Sequence, residues 1–309
     1  MNYKSILNLL GILLGIFSLS FIPPLILTYM YSESGGEVFL YSFLFFSIFG
    51  GAVWAATRQK NLPLNISDGF VVTTLFWVVL ACAGSVPFYF FGLSVSDAIF
   101  ESASGITTTG ATTIVGLDNL PKSILLYRQL LQWIGGMGLI VLAVAVMPAL
   151  GIGGGQLYKM ELPGSHGNQK LTPKITDSAK ALWKIYVGLT VACATLYLLS
   201  GMNVFDSIAH SLSTVAGGGF STHDGSIGFF DSALIEAVCI IFMLLSAASF
   251  AVHYAAIFGG KPLKYFYDSE FRFFLSVVLL IVVISLIVHI ISNSYADIFS
   301  AFGTTVFHV

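Results

Sequence analysis

Thr107-Thr-Thr-Gly110 and Gly217-Gly-Gly219 are the stretches of this sequence best suited to chemistry by backbone atoms. A row of carbonyl oxygens can replace the hydration shell of a cation. Glycine serves such a row because it takes backbone angles that a Cβ resists. The two stretches occupy matching places in a repeat at an offset of 109 residues. Across Val95–Thr113 and Val204–Thr222, Asp97 matches Asp206, Ile99 matches Ile208 and Ser102 matches Ser211. Ser104 matches Ser213, Gly110 matches Gly219 and Thr113 matches Thr222. One Thr/Gly-rich segment alone reads as an outer loop. Two at a fixed offset read as a pair around a pseudo-symmetry axis, where membrane repeats place their sites.

Each segment has the makings of a half-helix followed by a return strand. Asp97 and Asp206 are expected as N-caps, with about eight helix-compatible residues behind them. At 1.5 Å per residue such a helix is about 12–15 Å long, half a bilayer. The Thr, Gly and Ala residues that follow have poor helix propensity. Irregular backbone is tolerated at membrane depth only inside protein or along a water-filled path. The partly negative C-terminal end of each half-helix favours a cation.

The remaining reactive residues point to packing. Arg128 can snorkel to the interface or pair with Glu101 or Asp118 behind the loop, and pairing is the expected role. His210 and His308 replace Glu101 in the repeat, so they are read as packing groups. His253 and His289 have no second ligand one turn away and are not read as metal sites. Gly135-Gly-Met-Gly138 lets helices approach closely. Gly151-Ile-Gly-Gly-Gly155 lacks the Lys and Ser/Thr of a P-loop. Cys82, Cys193 and Cys239 are scattered in apolar stretches and read as small buried hydrophobes, not a disulfide or metal framework.

These residues need elements that sit in lipid. Of 309 residues, 56% are apolar and 9% charged, with a mean hydropathy of +0.89. An ordinary soluble domain carries about 25% charged residues. Neither a soluble fold nor disorder fits, and a net charge of −2 excludes nucleic acid as a partner. The fold class is all-α, a polytopic helical membrane protein. Seven charge-free runs are long enough to span: Ser5–Ser32, Val38–Thr57, Gly69–Ser96, Gln129–Tyr158, Ile185–Phe205, Ala237–Gly260 and Phe273–Ala296. With the N-terminus in the cytoplasm, only Lys122 and Arg128 of the 13 basic residues fall outside, which favours that threading. Pro23-Pro24 should kink or end the first helix.

Ser104-Gly-Ile-Thr-Thr-Thr-Gly-Ala-Thr-Thr113, Tyr127-Arg-Gln-Leu-Leu-Gln-Trp-Ile-Gly-Gly-Met-Gly138 and Gly218-Gly-Phe-Ser-Thr-His-Asp224 carry a resemblance. Over its whole length the chain resembles the membrane subunits of bacterial Trk potassium-uptake systems, in the Trk/Ktr/HKT superfamily. The resemblance implies four covalently linked span–pore loop–span units in four-fold pseudo-symmetry around one pore, each with a filter glycine. Residues 1–60 would be two leading helices, 68–148 the first unit, 149–176 a cytoplasmic connection and 177–259 the second unit. Residues 260–309 would begin a third unit, because Thr304-Thr-Val-Phe-His-Val309 lines up with Asp97–Ser102. The chain is expected to be truncated in that third pore helix.

The resemblance also implies roles. The ion-facing carbonyls would belong to Thr108, Thr109 and Gly110 in the first unit and to Gly217, Gly218 and Gly219 in the second. Thr107 and Ala216 are second choices, and glycine at position 110 favours potassium over sodium. Potassium is the implied cargo, with no organic cofactor. The implied partners are membrane lipid, a second copy in a homodimer and a cytoplasmic nucleotide-binding ring similar to TrkA. The implied location is the inner membrane, multi-pass, with a cytoplasmic N-terminus. Channel and ion-coupled permeation both remain open. Two other classes compete. An intramembrane enzyme needs a nucleophile–base pair or paired carboxylates at depth, and the mid-span residues offer none. A non-conducting membrane scaffold fits a shortened chain.

Overall fold

Pro23 and Pro24 lack the backbone N–H that a helix interior requires, and the α-helix of the first span is interrupted by a 3-10 turn just before them. The computed structural model describes residues 2–58, 66–146, 175–261, 263–292 and 298–309. Helix α1 (Tyr3–Ser18) ends in a 3-10 turn, Leu19–Phe21. Helix α2 (Ile22–Tyr31) then restarts with both prolines in its first turn, where their missing donors are not needed. Helix α3 (Glu37–Thr57) lies against α1 at backbone contact. A Cβ on Gly11 would meet the Gly50 carbonyl oxygen at 2.9 Å, and one on Gly50 would meet the Gly11 carbonyl oxygen at 2.8 Å. Asn8 fastens the pair by donating to the Trp54 carbonyl (3.1 Å) and the Thr57 hydroxyl (3.2 Å).

A long–short–long pattern follows twice. The first set is α4 (Ile66–Phe90), α5 (Val95–Ile106) and α6 (Lys122–Val146). The second is α7 (Ile175–Leu199), α8 (Val204–Ala216) and α9 (Ala233–Ser246). The chain continues through α10 (Phe250–Ile257), the short α11 (Lys264–Tyr267), α12 (Ser269–Ile291) and α13 (Ile298–His308). No strand occurs among the described residues.

Two buried cores divide the helices, and α6 contributes to both. Ile124, Tyr127 and Leu131 join α1, α3, α4 and α5, where Tyr127 packs among Phe21, Phe39 and Phe88. Met137 joins α7, α8 and α9 through Tyr186, Val215 and Phe242. The remaining apolar surface suits hydrocarbon. Among the described residues, five helical stretches are long and apolar enough to cross a membrane: Tyr3–Tyr31, Glu37–Thr57, Ser67–Phe90, Lys180–Leu199 and Ser269–Ile291.

Four expectations change. The run Ala237–Gly260 is not one helix, since α9 and α10 are separated at Ala247–Ser249 with neither glycine nor proline at the break. His253 bridges that break. Its Nε2 donates to the Leu245 carbonyl (2.9 Å), which leaves Nδ1 to accept from the Tyr265 hydroxyl (2.7 Å). Helix α13 runs through Thr304 from Ile298, so no helix start lies near Thr304. Cys193 and Cys239 are buried as expected, but Cys82 is exposed on α4. Asp97 and Asp206 lie inside their helices, as described below. Residues 147–174, which hold most of the expected cytoplasmic connection and Gly151–Gly155, lie outside the described residues.

Candidate functional site: two facing loops

Each half-helix begins with a capping pair three residues apart. Ser94 caps α5, accepting from the Asp97 N–H (3.2 Å) and donating to the Asp97 carboxylate (2.7 Å). Asn203 caps α8 in the same way, at 2.9 Å and 2.6 Å. The two aspartates therefore occupy the third helical position, where a carboxylate reaches back to the cap. Ser94 and Asn203, not the expected Asp97 and Asp206, have the extended backbone of a cap residue.

Each half-helix ends in the same turn. The Thr108 N–H donates to the Gly105 carbonyl and the Thr109 N–H to the Ser104 carbonyl, at 3.0 and 2.9 Å. The Gly217 N–H donates to Thr214 and the Gly218 N–H to Ser213, at 3.1 and 3.0 Å. This is the Schellman closure, which places the residue after the cap in the left-handed region. Thr108 sits there at φ +55° and Gly217 at φ +67°. Two residues on, Gly110 (φ +75°) and Gly219 (φ +81°) are left-handed again. A second tie spans each turn. The Ser104 hydroxyl donates to the Ala111 carbonyl (2.5 Å) and the Ser213 hydroxyl to the Phe220 carbonyl (2.7 Å). Every one of these contacts obeys the offset of 109. The front of each turn is open, with Thr107, Thr109, Gly217 and Gly219 exposed.

Behind the turns lies a buried polar network centred on α6. Glu101 and Arg128 form a fully buried ion pair at 2.7 Å. The Thr112 hydroxyl donates to Glu101 (2.9 Å) and accepts from Arg128 (3.1 Å). Arg128 also donates across the repeat to the Ser221 carbonyl (2.8 Å), and its guanidinium stacks on Phe220 at 4.3 Å. The place of Glu101 in the second unit is taken by His210. Its Nδ1 donates to the Asp206 carbonyl (3.0 Å), so its Nε2 accepts from the Ser221 hydroxyl (2.9 Å). The expected pairing of Arg128 with Glu101 is present, and His210 is a satisfied packing group.

One face of α6 meets both turns. Gln132, one turn below Arg128, accepts from the Phe220 N–H at 3.1 Å. A Cβ on Gly218 would fall 2.4 Å from the Gln132 amide carbon, and one on Gly110 only 1.9 Å from the Gly218 carbonyl oxygen. The two turns therefore touch each other and Gln132 with no room for side chains. A further turn along, a Cβ on Gly135 would lie 1.9 Å from the Ile106 carbonyl oxygen, and one on Gly136 would lie 3.2 Å from Ala216 Cα. Both half-helices end against this glycine pair.

The rim beside the turns is tied separately. His223 bridges the Asp118 carboxylate, through Nδ1, to Asp206 (3.2 Å) and stacks on Phe229 at 3.6 Å. The Gly116 N–H donates to Asp224 (3.0 Å) and the Asp224 N–H to Asp118 (3.4 Å). The His223 hydrogen bond holds the exposed Asp118 carboxyl below the ordinary carboxylate value. Glu33, in the connection between α2 and α3, accepts from the Lys122 and Ser123 N–H groups (2.7 and 3.1 Å) and so caps α6. No group of three or more metal-ligating side chains occurs among the described residues. This arrangement suits contact through backbone oxygens.

Thr112, Gln132 and Ser221 also belong to the site; they lie inside the motifs that carry the family resemblance, but their residue types alone give them no role there. For Ser221 the signal lay in the offset, which pairs it with Thr112. Gln132 carries a weaker signal, being a polar residue one turn from Arg128 in an apolar helix.

A family model described as TrkH, cation transport protein, matches residues 35–308. The Trk system potassium uptake protein TrkH of Vibrio parahaemolyticus is 46% identical over 99% of the chain. That of Escherichia coli K12 is 44% identical over 100% of the chain, and TrkG of the same organism is 41% identical over 92%. The chain spans 64%, 65% and 59% of those proteins. The crystal structure of the potassium transporter TrkH from Vibrio parahaemolyticus superposes with a TM-score of 0.87 at 44% identity, over 99% of this chain and 63% of that one.

Proposed function

Because the chain belongs to the TrkH family of cation transport proteins, we propose that it works in potassium permeation. Its two turns supply the ion-facing carbonyls of Thr108, Thr109 and Gly110 and of Gly217, Gly218 and Gly219. One observation carries this reading. Positive φ recurs at 108 and 110 and again at 217 and 219, each time just beyond the end of a half-helix. Alternating left-handed residues turn successive peptide planes, so carbonyls can be presented in a row to a dehydrated cation. The helix ends add partial negative charge near the same place. The buried Glu101–Arg128 pair and the glycine contacts hold the turns from behind, as a selective ring requires.

The basic residues orient the reading. The N-terminus lies in the cytoplasm, both turns open outward, and the segment 149–176 faces the cytoplasm. The protein works with membrane lipid, a second copy of itself and a cytoplasmic nucleotide-binding ring similar to TrkA. The test is relative potassium and sodium flux in liposomes carrying the full chain, joined to reporter fusions after Arg58 and near Asp224. Potassium preference, with a cytoplasmic first reporter and an external second, is the expected result. Equal fluxes, or an internal reporter near Asp224, would overturn the reading.

A further inference from the structure

We infer that Arg128 is a positioning residue for both turns: it locks them at a common depth and thereby sets their ion preference. This rests on the permeation reading above. The guanidinium divides its donors between the repeats, reaching Glu101 and Thr112 in one unit and the Ser221 carbonyl in the other. The contact to Ser221 is made to backbone, one residue beyond the ring that Arg128 covers and two beyond Gly219. In the second unit the carboxylate tie lies at the rim, where Asp206 holds the Thr222 hydroxyl (2.7 Å) and His223 (3.2 Å), and no charge stands at the step of Glu101. His210 stands where Glu101 stands in the first, and both of its ring nitrogens are used within its own unit. Among the described residues, Gln132 adds a second polar link from α6 to the second turn, through the Phe220 N–H.

Lysine cannot do this job. A guanidinium is a planar fork with five donors, whereas an ammonium is a single point. The Arg128→Lys variant keeps the charge opposite Glu101 yet cannot span Thr112 and Ser221 together. The turns touch, with the Gly218 carbonyl seated on Gly110, so a shift of one is passed to the other.

The experiment measures the potassium-to-sodium flux ratio of the full chain in liposomes at matched protein density. Three variants are compared: Arg128→Lys, Thr112→Val and Gly219→Ala. Thr112→Val leaves the Arg128–Glu101 pair and the Ser221 contact in place and removes one tie. Arg128→Lys should lower the ratio about tenfold, and Thr112→Val about threefold. Gly219→Ala alters the turn directly and reports on the permeation reading itself. If Gly219→Ala shifts the ratio while Arg128→Lys and Thr112→Val keep the wild-type value, the positioning role fails and the permeation reading stands. If none of the three shifts it, the turns are misassigned and both fail. Should Arg128→Lys yield no protein, Thr112→Val decides: a lowered ratio supports the role, and an unchanged ratio overturns it.

Discussion

Glu101 and His210 stand at the same step of two successive half-helices, and each takes the hydroxyl eleven residues onward, Thr112 and Ser221 respectively. The contact is shared but the charge is not. Glu101 answers a buried arginine, while His210 is satisfied by a carbonyl and a hydroxyl.

Removing one member of a buried ion pair leaves the other uncompensated, which costs about 3–5 kcal/mol. Replacing one neutral hydrogen-bonding group by another costs about 1 kcal/mol or a little more. Glu101→Gln should therefore destabilise far more than His210→Gln. Thermal unfolding of the two variants in detergent checks this, and equal losses would show that the network does not depend on charge.

Gly110 and Gly219 share a conformation but not surroundings. A Cβ on Gly219 meets nothing within 4 Å, so Gly219→Ala bears only the left-handed strain of about 1–2 kcal/mol. On Gly110 the same Cβ would press on the Gly218 carbonyl. Gly110→Ala should leave much less folded protein than Gly219→Ala, measured as monodisperse material per cell. Gly135→Ala joins the severe class, because its Cβ would fall on the Ile106 carbonyl oxygen.

Thr108 holds a β-branched side chain at φ +55°, where Gly217 takes the matching place freely. Strain of this kind persists where the surroundings impose it. Thr108→Gly should release about 1 kcal/mol or slightly more, partly offset by a more flexible unfolded chain. A raised melting temperature is expected; a lowered one would mean that the threonine side chain stabilises the turn by more than its strain.

The rim beside the turns should survive mild acid. The Asp118 carboxyl lies below its ordinary value of 3.8 because His223 hydrogen-bonds to it. A depressed carboxylate pKa contributes stability above the unfolded value, and that contribution is lost as pH falls through the folded one. The latch that carries the Asp224 amide should therefore hold at pH 5 and release below about pH 4. Exchange of the Asp224 amide, corrected for the intrinsic rate, reads this directly. Release already at pH 5 would place control on another group.

Much of this protein is dictated by sequence alone, because local physics decides it. A charge-poor, apolar chain must sit in lipid, and helices are what satisfy its backbone there. The offset of 109 is visible in Asp97/Asp206, Ser104/Ser213 and Gly110/Gly219, and a turn closed by local hydrogen bonds repeats when its residues repeat. The family shares this legibility, since its motifs are contiguous. Other features rest on backbone angles or on close approach, which residue types do not give. Which residue caps each half-helix depended on backbone angles, and Ser94 and Asn203 rather than the aspartates adopt the extended form. The break at Ala247–Ser249 has no local signature, and His253 and Tyr265 make it tolerable from outside. Thr108 in the left-handed region contradicts its own preference and is held there by the turn. That Gly135 serves the Ile106 carbonyl, that Gly110 serves Gly218, and that Arg128 joins Glu101 to Ser221 are facts of close approach. Sequence spacing carries no distance across a fold, so only the packing of α6 between the two half-helices could decide them.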